Sequence, residues 1–147
     1  MISKGELNLH CCESTLIHID ESLKLPGFDE YVMRIASGFA GGVGGWGMVC
    51  GAVSGSVMAV SLLYGCDGDE TPEEYEEKRM DVRRKAQELM KAFEDEFGSV
   101  NCMDLLGVDR RTEEGRKKVK ELHAQGAFNC DRYIEWVVDE TLGILGT

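Results

Sequence analysis

The chain has 147 residues, of which 43% are hydrophobic and 29% charged, which is typical of a folded domain and not of a disordered chain. Its formal net charge is −11, and this excludes the broad basic surface that binding to a nucleic-acid backbone requires. The length predicts one domain over residues 1–147. With two prolines and no alternating β-branched runs, it is predicted to be an all-α bundle of about six to seven helices.

The first half of the chain predicts three helices and a glycine-rich loop. Apolar residues at spacings of three and four predict a helix from its cap, Asn8, to about Leu25, before a Pro-Gly break. A short helix is predicted over 30–37, and the loop covers 38–47. The helix that follows, over 48–64, is apolar on all sides and is therefore predicted to be central. Its small residues lie on one face and would allow a second helix to approach closely: Gly51, Ala52, Gly55 and Ala59.

The second half predicts four helices with clear start signals. Thr71, Pro72 and Glu74 form an N-cap, a first-turn proline and a capping box, and they open a long helix over 72–97 that Gly98 ends. Three shorter helices are each predicted to follow a capping residue: 102–106 after Asn101, 113–125 after Thr112, and 130–145 after Asn129. The basic run 116–120 is predicted to be a solvated helix face.

Residues 35–66 carry no charge, which raises the question of a membrane span. Nine glycines in that window favour a buried helix behind a loop instead, so no membrane insertion is expected. Residues 1–9 lack the basic and apolar regions of a signal peptide. The expected location is the cytoplasm, where six cysteines indicate metal binding or catalysis and not a disulfide scaffold.

The cysteines have no Cys-x-x-Cys spacing, but four of them fall at predicted helix N-termini: Cys11, Cys50, Cys102 and Cys130. Unpaired N–H groups and the positive end of the helix dipole favour an anion there, and they lower the pKa of a thiol. We therefore predict that these four form one redox or metal centre. Cys12 and Cys66 are predicted to be small buried hydrophobic residues.

Several segments carry a family resemblance. The runs Gly-Gly-Val-Gly-Gly at 41–45 and Cys-Gly-Ala-Val-Ser-Gly at 50–55 resemble the C_GCAxxG_C_C family of redox-active proteins. The segment 10–16 is similar to the family's opening motif, 97–107 matches its third cysteine motif, and 130–134 stands at its fourth cysteine. The resemblance implies redox or metal chemistry on the same four cysteines in a helical fold. Cys12 stands where the family has a small residue, so Cys11 and Cys12 remain alternatives for the first ligand.

Similar domains occur in split-Soret cytochromes, which are dimeric and are associated with a cysteine-ligated iron–sulfur cluster. The resemblance thus implies a [4Fe–4S] or [2Fe–2S] cluster and a homodimer. Covalent haem is not expected, because the chain has no Cys-x-x-Cys-His sequence. Four further residues are predicted to contact the cofactor: Gly44, Gly45, Trp46 and Gly51. The glycine-rich loop is predicted either to bring main-chain N–H groups to the sulfurs or to turn the chain tightly onto Cys50, and Trp46 is predicted to shield the site from water or to be part of the core.

Three hypotheses follow for the function. The first is an iron–sulfur protein for electron transfer or redox sensing, with an unidentified electron donor or acceptor as its partner. The second is a metal-free thiol–disulfide redox protein, and the third is a protein that binds a soft metal ion such as zinc or copper(I). The pattern favours a redox protein over a substrate-specific enzyme.

Overall fold

The computed structural model describes residues 3–4, 7–126 and 130–146. This part of the chain forms seven helices and one short hairpin, so the predicted all-α class is confirmed. The hairpin pairs β1 (Ser3–Lys4) with β2 (Leu7–Asn8) in antiparallel register. The helices are α1 (Cys11–Ser22), α2 (Glu30–Ser37), α3 (Gly51–Tyr64), α4 (Pro72–Phe97), α5 (Cys102–Leu106), α6 (Glu113–Ala124) and α7 (Asp131–Ile144).

The predicted caps are confirmed where a single side chain defines the helix end. The hydroxyl of Thr71 accepts a hydrogen bond from the N–H of Glu74 at the start of α4. The hydroxyl of Thr112 accepts from the N–H of Gly115 at the start of α6. Gly98 ends α4 with a φ of 88°, a conformation that glycine adopts without a steric penalty. The predicted cap Asn129 lies outside the described residues.

Three helices begin later than predicted, and the smallest difference is at α7, whose N-cap is Cys130 and whose first residue is Asp131. Asn8 does not cap α1, because it lies in β2, paired with Ser3, and the N-cap is His10. The helix also ends at Ser22 and not near Leu25, since the backbone is extended at Leu23. The predicted helix over 48–64 begins only at Gly51, because residues 48–50 pair with the segment before α5.

The central helix is α3, as predicted, and it packs against α1, α4 and α7. Its small-residue face lies against α1: a β-carbon on Gly55 would be 2.7 Å from the carbonyl oxygen of Cys12. The face is thus covered within one chain and gives no support to a dimer, which remains a prediction from the resemblance alone. Two apolar clusters flank α3, one around Leu16 and Ile19 and the other around Phe93.

The uncharged stretch 35–66 forms the end of α2, the glycine-rich loop and α3. The prediction of a buried helix behind a loop is therefore confirmed, with residues of α3 such as Ala52, Val53 and Ala59 fully buried. Among the described residues, we find no helix whose length and apolar character would let it cross a membrane.

Candidate functional site

Four cysteines from four separate elements line a single cavity of about 590 Å³. Two of them occupy the first position of a helix, and two occupy an N-cap. They are Cys11 (first residue of α1), Cys50 (N-cap of α3), Cys102 (first residue of α5) and Cys130 (N-cap of α7). The starts of four helices therefore converge on one cavity, and the residues that meet there are the four predicted from the sequence.

Main-chain hydrogen bonds fix the positions of Cys50 and Cys102 relative to each other. The N–H of Cys50 donates to the carbonyl of Val100 at 2.8 Å, and the N–H of Cys102 donates to that of Met48 at 2.6 Å. An isolated β-bridge between Val49 and Asn101 lies between these bonds. The second and third cysteine segments are thus held together by backbone pairing, independently of any bound group.

The glycine-rich loop turns the chain onto Cys50. The N–H groups of residues 43–48 all donate to carbonyls of residues 38–43, so they are not available to the cysteine sulfurs. Gly42 has a φ of 73°, and a β-carbon there would lie 2.5 Å from the nitrogen of Met48. Of the two predicted roles, the structure favours the tight turn over donation of these N–H groups.

The other predicted contact residues also line the cavity: Gly44, Gly45, Trp46 and Gly51. Trp46 is 58% exposed, so it belongs to the wall of the cavity and not to the core. The guanidinium of Arg111 lies over its ring, 5.4 Å from the centroid. Gly51 has a steric role, because any β-carbon at that position would collide with the Sγ of Cys11.

Three thiols of the cavity, those of Cys50, Cys102 and Cys130, are less acidic than their position at helix starts predicted. The pKa of Cys50 is raised to about 12, mainly by burial and in part by the neighbouring Cys11, although the N–H groups of Ala52 and Val53 act in the opposite direction. Burial likewise raises the pKa of Cys130 to about 12. The prediction of lowered pKa values is therefore wrong for these two residues, since desolvation outweighs the helix terminus.

Cys102 shows the same balance of effects. Burial raises the pKa of its thiol, while the guanidinium of Arg110 lowers it. The same guanidinium also lowers the pKa of Cys130. Arg110 is thus the cation whose charge opposes the burial of these two sulfurs.

The thiols are too far apart for one tetrahedral ion in this geometry. Among the described residues, three ligand atoms come within 4.8 Å of one another only in the group Asp67, Asp69 and Glu70, outside the cavity. Four sulfurs at a Zn–S distance of about 2.3 Å would be about 3.8 Å apart. No three of the cavity sulfurs lie within 4.8 Å of one another, so in this geometry they do not form a preformed site for one tetrahedral ion.

The two remaining cysteines lie elsewhere. Cys12 is fully buried between α1 and α3, next to Met58, and burial raises the pKa of its thiol to about 12. It does not line the cavity, so the structure favours Cys11 as the first ligand. Cys66 also lies outside the cavity, but the prediction that it is buried is wrong: it follows the end of α3 and is exposed.

Sequence reasoning missed the basic side of the cavity. Arg110, Arg116 and Lys120 line it, together with Arg111. The run 116–120 was predicted to be a solvated helix face, and its members are largely exposed, yet Arg116 and Lys120 point to the cavity. Their spacing of four residues, with the buried Val119 between them, is the signal that places both on one helix face.

The fold and the site define a helical protein whose helix starts bring four cysteines to one cavity. The family model described as "Putative redox-active protein (C_GCAxxG_C_C)" matches residues 9–144, and the chain belongs to this family. It is also 34% identical, over 116 residues, to an uncharacterized protein of Archaeoglobus fulgidus. The aligned region covers 77% of this chain and 76% of that protein. No solved structure matches the chain.

Proposed function

We propose that the protein binds an iron–sulfur cluster through four cysteines and uses it for electron transfer or redox sensing. The ligands would be Cys11, Cys50, Cys102 and Cys130. The observation that carries this proposal is that these four, out of six cysteines, line the same cavity although they are separated by up to 119 positions in the sequence (130 − 11). Membership of a redox-active family agrees with it.

The donor set and its surroundings support a cluster. Four thiolates are the usual ligands of [2Fe–2S] and [4Fe–4S] centres, and such a centre is an anion overall. Arg110 supplies a positive charge beside Cys102 and Cys130. The cluster, when bound, would supply one-electron chemistry; the chain would supply the sulfur ligands, this positive charge and a largely apolar wall.

The metal-free alternative is less well supported. A cysteine that attacks disulfides needs an accessible thiolate with a low pKa. Burial instead raises the pKa values of Cys50, Cys102 and Cys130, which disfavours the thiolate form at all three. A bound cation would replace those protons, and iron in a cluster does this directly.

Anaerobic purification tests the proposal. The expected result is a coloured protein with about two or four iron atoms and as much sulfide per chain. Replacing any one of the four cavity cysteines by serine should lower the iron content, whereas Cys66→Ser should leave it unchanged. A colourless protein with six titratable thiols and no iron after reconstitution would favour the thiol–disulfide alternative instead.

A further inference from the structure

The charged residues that line the cysteine cavity are all basic. They are Arg110, Arg111, Arg116 and Lys120, and no described acidic residue lines the cavity with them. This is unexpected in a chain with 27 acidic and 16 basic residues. Arg111 is paired with the carboxylate of Asp109, which lies outside the lining, so Arg110, Arg116 and Lys120 are the cations that an anion in the cavity could meet.

Arg110 has a donor without an acceptor. Its Nε atom is buried and makes no hydrogen bond within the described part of the protein. Its guanidinium lies against Gly41, where a β-carbon would be 3.2 Å from Nη1. A buried N–H group without a partner is costly, and an oxygen atom of a bound anion would satisfy it.

Arg116 and Lys120 lie one turn apart on α6, and neither forms an ion pair with a carboxylate of the described residues. Arg116 instead donates to the carbonyls of Arg110 and Arg111, at 3.4 and 3.2 Å. Lys117, on another face of the same helix, lies 4.0 Å from Glu113. The lysine that faces the cavity is thus unpaired among the described residues, while a neighbour that faces away has a carboxylate beside it.

The basic side of the cavity is separate from the cysteines in the sequence. It comes from α6 and from the segment just before it, and neither supplies a cysteine to the cavity. The cavity volume of about 590 Å³ lies within the range of about 300–1,000 Å³ that is usual for small-molecule sites. The exposed ring of Trp46 offers an apolar surface for the carbon skeleton of a ligand.

We propose that Arg110, Arg116 and Lys120 bind a small organic anion, through a carboxylate or phosphate group, beside the four cysteines. Guanidinium groups suit both kinds of oxyanion, and charge-assisted hydrogen bonds are stronger than neutral ones. This site adds to the proposed redox function and does not rest on it, because these basic residues line the cavity whatever the cysteines hold. The anion would lie in the same cavity as the four cysteines.

Calorimetric titration of the full-length protein, isolated anaerobically, tests this proposal. Inorganic phosphate and succinate serve as the two probes, at a constant ionic strength set with sodium chloride. The probe that binds with the higher affinity identifies the preferred head group. At least one should bind saturably. Lys120→Gln should weaken that binding about tenfold, because it removes one charge-assisted hydrogen bond. Lys120→Arg should retain it.

Lys117→Gln is the matched control, since it removes the same charge from an exposed position of the same helix that does not line the cavity. It should leave the affinity unchanged. The proposal is overturned if neither probe binds saturably, or if the substitutions at 117 and 120 weaken binding equally. Iron is measured on the same samples: wild-type protein that binds the anion but never contains iron would refute the cluster and leave the anion site standing.

Discussion

The Sγ atom of Cys11 lies so close to Gly51 that it would overlap a β-carbon at residue 51. The first cysteine of the cavity is therefore placed by the start of α3, one residue after the second cysteine, Cys50. This close approach is possible only because residue 51 has no side chain. It links the packing of α1 on α3 directly to the arrangement of the sulfurs.

Gly51→Ala should disturb the cavity by displacing Cys11. A new methyl group would overlap the sulfur, and overpacking of this kind costs about 1–3 kcal/mol. We expect a lower free energy of unfolding in urea and a lower iron content after anaerobic reconstitution. Gly143→Ala on α7 is the control, because no atom lies within 4 Å of the added β-carbon. That variant should be unchanged or slightly more stable, with a normal iron content.

Substitution of the two adjacent cysteines should separate ligation from packing. Cys11→Ser removes a side chain that lines the cavity, so we expect loss of iron. Cys12→Ala should instead retain iron but reduce the free energy of unfolding by about 1 kcal/mol, because it leaves a small void at a fully buried position. Iron analysis together with urea denaturation measures both effects. The reverse pattern of iron loss would make Cys12 the first ligand.

The sequence was most informative where structure is set locally. The cap of α4 depends on Thr71 and the residues just after it, and so it could be predicted from spacing alone. The start of α1 could not, because Asn8 is held in an extended conformation by pairing with Ser3. The prediction that Cys66 is buried is wrong for a related reason. The hydrophobicity of cysteine favours burial, but the position of Cys66 after the end of α3 leaves it exposed.

The same distinction explains the candidate site. The cysteines could be chosen because each lies near a predicted helix start, although the starts of α1 and α3 were placed too early, and the family motifs mark the same four residues. The raised pKa values of Cys50 and Cys130 could not be predicted from the sequence, because burial depends on tertiary packing. Lys120 was not identified, because basic residues at a spacing of four look the same on a solvated face and on one that borders a cavity.

Val43 is a point of backbone strain beside the cavity, and Val43→Gly should stabilise the protein. Its φ is 63°, in the left-handed region that a β-branched residue rarely adopts, whereas its side chain is 43% exposed and packs little. Relief of that strain, offset in part by the entropy of the unfolded glycine, should raise the free energy of unfolding by about 1 kcal/mol. Urea denaturation measures it. Val43→Ala keeps a β-carbon and should recover little of this gain, and a destabilised Val43→Gly would contradict the argument.

The contribution of Glu70 to the stability of the protein should be lost as the pH falls below 4.5. Hydrogen bonds from the N–H of Asp67, from Lys78 and from the N–H of Gly68 together lower the pKa of the Glu70 carboxyl from 4.5 to about 2, and the bond from Asp67 contributes most. A carboxyl with a lowered pKa contributes stability that is fully present above its unfolded pKa and is lost on acidification through its folded pKa. The difference in Tm between wild type and Glu70→Gln should therefore be constant above about pH 5 and shrink between pH 4.5 and 2.

Glu77→Gln is the matched control, because Glu77 is an exposed acidic residue on α4 outside this network, and its Tm difference from wild type should show no such pH dependence. A Tm difference that stayed constant down to pH 2 would show that the interactions with Asp67, Gly68 and Lys78 do not stabilise the fold.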